Sequence, residues 1–169
     1  MQLPAFVKTE VDLDTTSAIL AEAAKFNQEI VSPLNWIGDQ QPSTLQHGKV
    51  TTPPGFKEAY HQYSAAGWQG IIHPRQFGGQ NLPRLLNSAC QEMVNSANLS
   101  FALCPLLTDG AIEALLIAAS PLLQEQFLPK LVSGQWSGTM NLTEPGAGSD
   151  LANVRTRAQR QNDQSYKIF

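Results

Sequence analysis

The sequence predicts a mostly helical chain that gives way to β structure near residue 135. Across residues 14–134, apolar side chains recur three and four positions apart, which is the period of one helix face. From residue 136 that spacing stops, and the sequence reads as strands and turns. We therefore predict an N-terminal all-helical domain over residues 1–134 and the first strands of a β domain over residues 135–169. We expect this β domain to be incomplete, because two or three strands alone are marginally stable.

The first helix is predicted to follow Asp12 or Asp14, either of which can cap its N-terminus. Its apolar face carries Ile19, Ala23, Phe26 and Ile30. Pro33 is expected to end it, because proline lacks the N–H that a helix interior needs. Residues 35–55 are rich in glycine, proline and polar side chains, so we predict a long loop there.

The second helix is predicted to end at Gly67, which can adopt the left-handed conformation that follows many helices. Its face carries three aromatic residues, Phe56, Tyr60 and Tyr63. Residues 68–74 combine apolar side chains with glycine and proline, which indicates a buried connector. Residues 77–80 then form a glycine turn.

Three further helices complete the predicted helical domain. One begins at Pro83, one at Thr108 or Asp109, and the last follows Ser120 and closes at Gly134. The middle one is apolar on most sides, so we expect it to be the most buried helix of the chain. After residue 135, strands are predicted over residues 136–142, 154–158 and 166–169.

Composition argues against several functions. The net charge is −3 and charged residues make up 15% of the chain, which does not suit a nucleic-acid-binding surface. There is no run of 18 apolar residues, so no membrane span is expected. The N-terminus lacks the pattern of a targeting peptide, and we expect a cytoplasmic protein. Two cysteines and three histidines without ligand spacing predict reduced thiols and no metal site.

Residues 140–150, at the change from helix to strand, carry the groups best suited to bind a ligand. Gly146 and Gly148 allow backbone amides to approach a ligand closely, and Thr143 and Ser149 add hydroxyl groups. The pattern is neither a P-loop, nor a dinucleotide fingerprint, nor a nucleophile elbow. From the residues alone, a plain structural turn and a ligand-binding loop both remain open.

This stretch resembles the signature of the acyl-CoA dehydrogenase family. Seven residues fit that signature: Leu142, Thr143, Glu144, Ala147, Gly148, Ser149 and Asp150. Asn141 and Asn153 depart from it. The resemblance extends to the glycine turn at residues 77–80 and to the helix end at residues 128–134. Residues 50–56 and 140–143 are most similar to the branch that includes methylthiopropanoyl-CoA dehydrogenases.

The resemblance implies a flavin site. Thr143 would hydrogen-bond the ring of FAD, and Gly148 and Ser149 would approach its diphosphate. Ser149 would also touch the substrate. Three residues, Met140, Asn141 and Leu142, would lie along the flavin ring. The segment from Phe101 to Leu107 would help to form the wall of the acyl pocket.

The implied reaction is α,β-desaturation of an acyl-CoA thioester, with an electron-transferring flavoprotein as acceptor and a homo-oligomeric full-length enzyme. In the family, the catalytic glutamate comes from a C-terminal helical domain to which nothing in residues 1–169 corresponds. Glu144 is therefore interpreted as part of the turn, and no catalytic residue is assigned. The alternative is a non-catalytic helical interaction module, or a remnant of such an enzyme.

Overall fold

Six α-helices and two short β-hairpins make up the part of the chain that the computed structural model describes, residues 11–169. The helices are α1 (Leu13–Phe26), α2 (Pro33–Gln40), α3 (Phe56–Ala65), α4 (Arg84–Ala97), α5 (Leu99–Ala118) and α6 (Pro121–Val132). The strands are β1 (Thr44–Gln46), β2 (Lys49–Thr51), β3 (Ala158–Arg160) and β4 (Tyr166–Ile168). The mostly helical fold class is confirmed.

Packing divides the chain into two units, one that ends at Thr139 and one that spans Met140–Phe169. The first holds the six helices and the β1–β2 hairpin. The second holds the β3–β4 hairpin. The predicted domain boundary after residue 134 stays a prediction, since packing units and domains need not end at the same residue.

Helix α1 begins as predicted, because the Asp12 carboxylate accepts a hydrogen bond from the Thr15 N–H at 2.7 Å. The first helix ends before Pro33, as predicted, but it does so already at Phe26. A π-helical turn, Asn27–Val31, follows α1, and Pro33 then takes the first position of α2. Proline is tolerated there because a first-turn N–H has no partner within the helix.

The predicted loop over residues 35–55 is likewise corrected. It contains most of α2 and the β1–β2 hairpin, whose register pairs Thr44 with Thr51. His47 and Gly48 join the strands with φ angles of 50° and 75°. Two consecutive positive φ values suit a two-residue hairpin turn, and glycine and histidine both tolerate that conformation.

Helix α5 begins at Leu99, about ten residues before the predicted start. The Asn98 side chain caps it by accepting a hydrogen bond from the Phe101 N–H at 3.1 Å. Pro105 lies inside the helix, where it removes one N–H donor but leaves the flanking turns intact. The prediction that the helix from Thr108 or Asp109 is the most buried is wrong, because Ile117 is 83% exposed and only Thr108 and Ile112 of that span are buried.

By length and apolar composition, α5 meets the requirement for a membrane-spanning helix, with a mean hydropathy of 1.7. Two observations describe how α5 sits within the helical unit. The helix packs against α2, α4 and α6. It also carries Asp109 and Glu113 near its middle, and both carboxylates contact other elements of the unit.

Three buried clusters form the core of the helical unit. The first joins α2, α3, α4 and α5 around Tyr63 and Phe101, whose rings meet edge to face at 6.0 Å. The second joins α5 and α6 around Ile112 and Leu128. The third joins α1 and α4 around Cys90. In α4, Leu86, Cys90 and Val94 recur four positions apart and are buried.

The connector between α3 and α4 is buried, as predicted, at Gln69, Ile71 and His73. Gly67 and Gly78 have φ angles of 79° and 89°, so both glycine turns are confirmed.

The strand predicted over residues 136–142 does not form. Trp136 instead packs on Phe127, with ring centroids 5.9 Å apart, and Lys130 lies over the same indole. The Gly138 N–H donates to the Thr108 hydroxyl at 3.1 Å, which fixes this segment to α5. A strand requires a neighbouring strand to pair with, and among the described residues no strand pairs with this segment.

In the second unit, the predicted half-buried strand over residues 154–158 is mostly absent. A 3₁₀ turn, Leu151–Asn153, precedes an irregular stretch, and β3 begins only at Ala158. The strand predicted over residues 166–169 is confirmed at Tyr166–Ile168, which pairs antiparallel with β3. Both strands are exposed on both faces within the described chain.

Candidate functional site

The turn at residues 144–147 closes on itself through its backbone. The Glu144 N–H donates to the Ala147 carbonyl at 3.0 Å, and the Ala147 N–H donates back at 3.1 Å. Ala147 is 2% exposed, whereas the residues on either side of it are exposed. The turn therefore has a fixed shape with a small buried anchor.

The Glu144 side chain adds a second set of hydrogen bonds, which we call the Glu144 brace. Its two carboxylate oxygens accept from the N–H groups of Arg155 and Thr156 at 2.9 Å and 2.8 Å. Hydrogen bonds from the Thr156 side chain and from these two N–H groups lower the pKa of Glu144. A carboxylate held this way is stabilised in its charged form, which makes it a weak base and a good structural anchor.

Gly146 and Gly148 are not required by the packing of the turn. A Cβ atom at either position would meet no other atom within 4 Å, and neither residue has a positive φ. The described chain would thus accept alanine at both positions. A need for glycine here would have to come from a molecule that approaches the backbone closely, which fits the expected role in cofactor binding.

The predicted site residues are all exposed. Met140 and Leu142 are 64% and 41% exposed, and four polar or small residues, Asn141, Thr143, Gly148 and Ser149, are exposed beside them. Within residues 11–169, the hydroxyls of Thr143 and Ser149 form no hydrogen bond. Both are free to bind a ligand, and their roles in flavin and substrate binding stay predictions.

The predicted wall of the acyl pocket, residues 101–107, divides into two faces of α5. Phe101, Ala102 and Pro105 are buried in the core. Leu103 and Leu106 point away from it and continue an exposed apolar stripe that begins at Leu99. Only the exposed face is available to contact a substrate.

Sequence reasoning missed a polar network centred on His73. This side chain is fully buried, and its Nε2 lies 2.9 Å from the Asp109 carboxylate. The same carboxylate oxygen accepts from the Gln69 amide at 2.6 Å. Glu113 lies 3.9 Å from the other ring nitrogen, and both of its carboxylate oxygens accept from Nη2 of Arg84 at 2.9 Å. The network joins the connector and α4 to α5, and we interpret it as structural.

Cys90 is buried and Cys104 is exposed, and both are free thiols. Burial raises the pKa of the Cys90 thiol, which lowers its reactivity. Among residues 11–169, no three His, Cys, Asp or Glu side chains are grouped in a way that would hold a metal ion.

Comparison with known proteins identifies the family. The sequence profile described as "Acyl-CoA dehydrogenase, N-terminal domain" matches residues 14–135. The 3-methylmercaptopropionyl-CoA dehydrogenase of Ruegeria pomeroyi is 49% identical over 160 residues, which cover 95% of this chain and 27% of that protein. A butyryl-CoA dehydrogenase of Syntrophomonas wolfei is 35% identical over 148 residues, 86% of this chain and 24% of that protein.

Solved structures agree in fold. Butyryl-CoA dehydrogenase from Megasphaera elsdenii superimposes with a TM-score of 0.77 at 21% identity, covering 94% of this chain and 40% of that structure. The chain thus spans about a quarter of the length of the curated relatives that it matches. The signature turn, the helical fold and these similarities together show that the chain belongs to the acyl-CoA dehydrogenase family, in which it corresponds to the N-terminal portion.

Proposed function

We propose that this chain supplies the N-terminal, flavin-facing part of an FAD-dependent acyl-CoA dehydrogenase. The observation that carries the proposal is the turn at residues 140–150. Its backbone is braced from within, its glycines are not needed by the chain, and its hydroxyls have no partner among the described residues. In a member of this family, such a turn is best explained as one side of a cofactor site.

Each residue of the turn has a proposed task. Thr143 hydrogen-bonds the flavin ring, and Met140, Asn141 and Leu142 lie along it. Gly148 and Ser149 offer backbone and side-chain donors to the diphosphate, and Ser149 also contacts the substrate. Bound FAD supplies the acceptor for the hydride that leaves the β-carbon of the acyl group. The chain's own contribution is to hold and orient that group.

Glu144 is proposed as a brace rather than a base. A general base needs a free carboxylate with a pKa near the working pH. Both oxygens of Glu144 instead accept backbone hydrogen bonds, and its pKa is lowered. No residue of this chain is assigned the removal of the α-proton.

The proposed substrate is a short acyl-CoA thioester of the 3-methylmercaptopropionyl type. The higher identity to the Ruegeria dehydrogenase than to the butyryl-CoA dehydrogenase supports this choice. Leu103 and Leu106 offer an apolar surface suited to an acyl chain. We further propose that the whole enzyme is a cytoplasmic homo-oligomer that passes electrons to an electron-transferring flavoprotein.

FAD titration of the purified chain, followed by flavin fluorescence, tests the proposal. Saturable binding is expected, and Gly148→Val should abolish it without loss of helical structure, because a Cβ atom at Gly148 meets no other atom within 4 Å. Gln159→Val, an exposed position in β3 of the same unit, is the matched control and should bind normally. A folded chain without FAD affinity, or equal binding by both variants, would refute the flavin site and favour a non-catalytic interaction module.

Activity is tested separately by anaerobic bleaching of the bound flavin. We expect 3-methylmercaptopropionyl-CoA to bleach it faster than butyryl-CoA, the matched thioester without the thioether sulfur. If flavin binds and neither thioester bleaches it, the proposal of activity by this chain fails while the flavin site stands.

A further inference from the structure

A small cavity lies in the helical unit where the end of α1, the connector between α3 and α4, and α4 itself meet. We call it the internal cavity. About 10 Å³ of it admits the centre of a water-sized sphere, which is room for one water molecule. Its apolar lining includes Ala23, Phe26, Cys90 and Val94. No residue of the turn assigned to FAD lines it, so the internal cavity is separate from the proposed flavin site.

Four residues of the cavity wall each carry a buried polar atom without a hydrogen-bond partner among the described residues. These atoms are the side-chain oxygens of Asn27, Asn87 and Gln91 and the indole nitrogen of Trp68. The two asparagines are only 7% and 9% exposed. A buried polar atom without a partner costs free energy, so native proteins supply one from the chain or from ordered water. Four such atoms around one cavity therefore indicate a bound polar molecule.

Local structure determines which end of each amide is left over. The Asn27 amide nitrogen donates to the Ala23 carbonyl of its own helix at 2.8 Å, which leaves the oxygen free. Asn27 also begins the π-helical turn, a rare geometry that is frequent at functional sites. The Gln91 amide nitrogen donates to the Tyr63 hydroxyl at 3.4 Å. Asn87 and Gln91 are four positions apart, so they lie on one face of α4.

We propose that the internal cavity binds one structural water molecule. The water accepts from the indole N–H of Trp68 and donates its two protons to two of the three amide oxygens. Buried waters typically form about three such hydrogen bonds. A monatomic cation suits the site less well, because the Trp68 N–H directs a partial positive charge to it and no carboxylate is among the described residues that line it.

The bound water would connect three elements that have no direct polar contact at this point: the end of α1 through Asn27, the connector through Trp68, and α4 through Asn87 or Gln91. Its role is to hold these elements together where their side chains do not reach one another. This inference does not depend on the proposed function.

Isotope-filtered NMR of the purified chain tests the proposal through the indole proton of Trp68. A water molecule close to this proton gives a rotating-frame cross-peak of opposite sign to the diagonal, whereas proton exchange gives the same sign as the diagonal. If the water stays bound for longer than the protein takes to tumble, the laboratory-frame cross-peak has the sign of the diagonal. We expect this combination at Trp68.

Trp36, which is 71% exposed, is the control within the same chain and should not show the two signs together. The absence of this combination at Trp68 would refute the bound water. The same combination at Trp36 would show that the signal is not specific to the internal cavity, and would also refute the site.

Substitution locates the water. Asn87→Leu replaces one acceptor by an apolar side chain of similar size, so the cross-peaks at Trp68 should be lost, because apolar cavities stay dry. Asn35→Leu, at an exposed position of α2, is the matched control and should keep them. Cross-peaks that persist in folded Asn87→Leu would refute the assignment to this cavity.

Tyr63→Phe excludes the one nearby hydroxyl on the cavity wall, whose proton could exchange with water and imitate the signal. The cross-peaks at Trp68 should persist in this variant. Their loss would assign the signal to the hydroxyl and overturn the proposal. Should Asn87→Leu fail to fold, the natural chain and Tyr63→Phe still decide between the bound water and the hydroxyl.

Discussion

Removing the imidazole of His73 should destabilise the helical unit by about 2–3 kcal/mol. His73 is fully buried, and Asp109, its partner at 2.9 Å, is 18% exposed. A hydrogen bond to a charged group contributes about 1.5–3 kcal/mol, and loss of one partner also leaves the other without compensation. The Gln69 amide still donates to Asp109 in a His73→Leu variant, which keeps the cost below that of an isolated buried charge.

A double-mutant cycle separates the pair from simple loss of packing. We expect His73→Leu and Asp109→Leu each to cost about 2–3 kcal/mol, and the double variant to cost about 1–2 kcal/mol less than their sum. Two apolar side chains in place of a buried polar pair leave neither group unpaired, which is the physical reason for the recovery. Urea unfolding followed by far-ultraviolet circular dichroism measures all four proteins.

Arg84→Gln is the control for charge loss in the same network. Arg84 is 70% exposed on its side chain, so its ion pair with Glu113 should contribute no more than about 1 kcal/mol. Additive costs in the cycle, within about 0.5 kcal/mol, would refute the coupling of His73 to Asp109. A cost for Arg84→Gln equal to that for His73→Leu would show that charge, and not the buried contact, dominates.

Three further predictions concern single positions. Thr108→Val keeps the side-chain volume but removes the acceptor of the Gly138 N–H. It should therefore lower the free energy of unfolding in urea by about 1–2 kcal/mol and speed hydrogen exchange of that amide. Thr108→Ser, which keeps the hydroxyl, should leave the amide protected. Gly79→Ala should lower the free energy of unfolding by about 1–3 kcal/mol, because a Cβ would collide with the His73 carbonyl group. Gly110→Ala, in α5, should be neutral or stabilising, because a Cβ there meets no other atom within 4 Å. The stability contributed by the hydrogen bonds to Glu144 should be present above its unfolded pKa and be lost as pH falls through its lowered folded pKa. Hydrogen exchange of the Thr156 amide should therefore accelerate at acid pH in the natural chain. In Glu144→Gln that exchange should be fast at all pH values.

Apolar spacing predicted the helices well because burial acts on each helix face locally. The face of α4 and the helix ends at Gly67 and Gly134 follow from side-chain period and from the conformational freedom of glycine. Pro33 and Pro105 show the limit of that reasoning, since the first begins a helix and the second lies inside one. The cost of a proline depends on whether its missing N–H would have had a partner, and on how well the rest of the helix packs.

Contacts between distant residues were beyond prediction from one sequence. His73 and Asp109 are 36 positions apart, and neither shows a spacing that would predict their pairing. The strand predicted over residues 136–142 failed for a related reason, since strand formation depends on a neighbour that the residue pattern does not reveal. The signature turn could be predicted from the sequence, because its glycines, hydroxyls and carboxylates lie within one short stretch.

The turn presents the hydroxyls of Thr143 and Ser149 without using them to hold its own shape. Its shape is held by the reciprocal backbone bonds of Glu144 and Ala147 and by the Glu144 carboxylate on the following segment. The hydroxyls of Thr143 and Ser149 take no part in either brace. Substitution of these two hydroxyls should therefore change ligand binding and leave the turn intact, whereas substitution of Glu144 should change both. That contrast separates a residue that holds the turn in shape from the residues that we propose act in ligand binding.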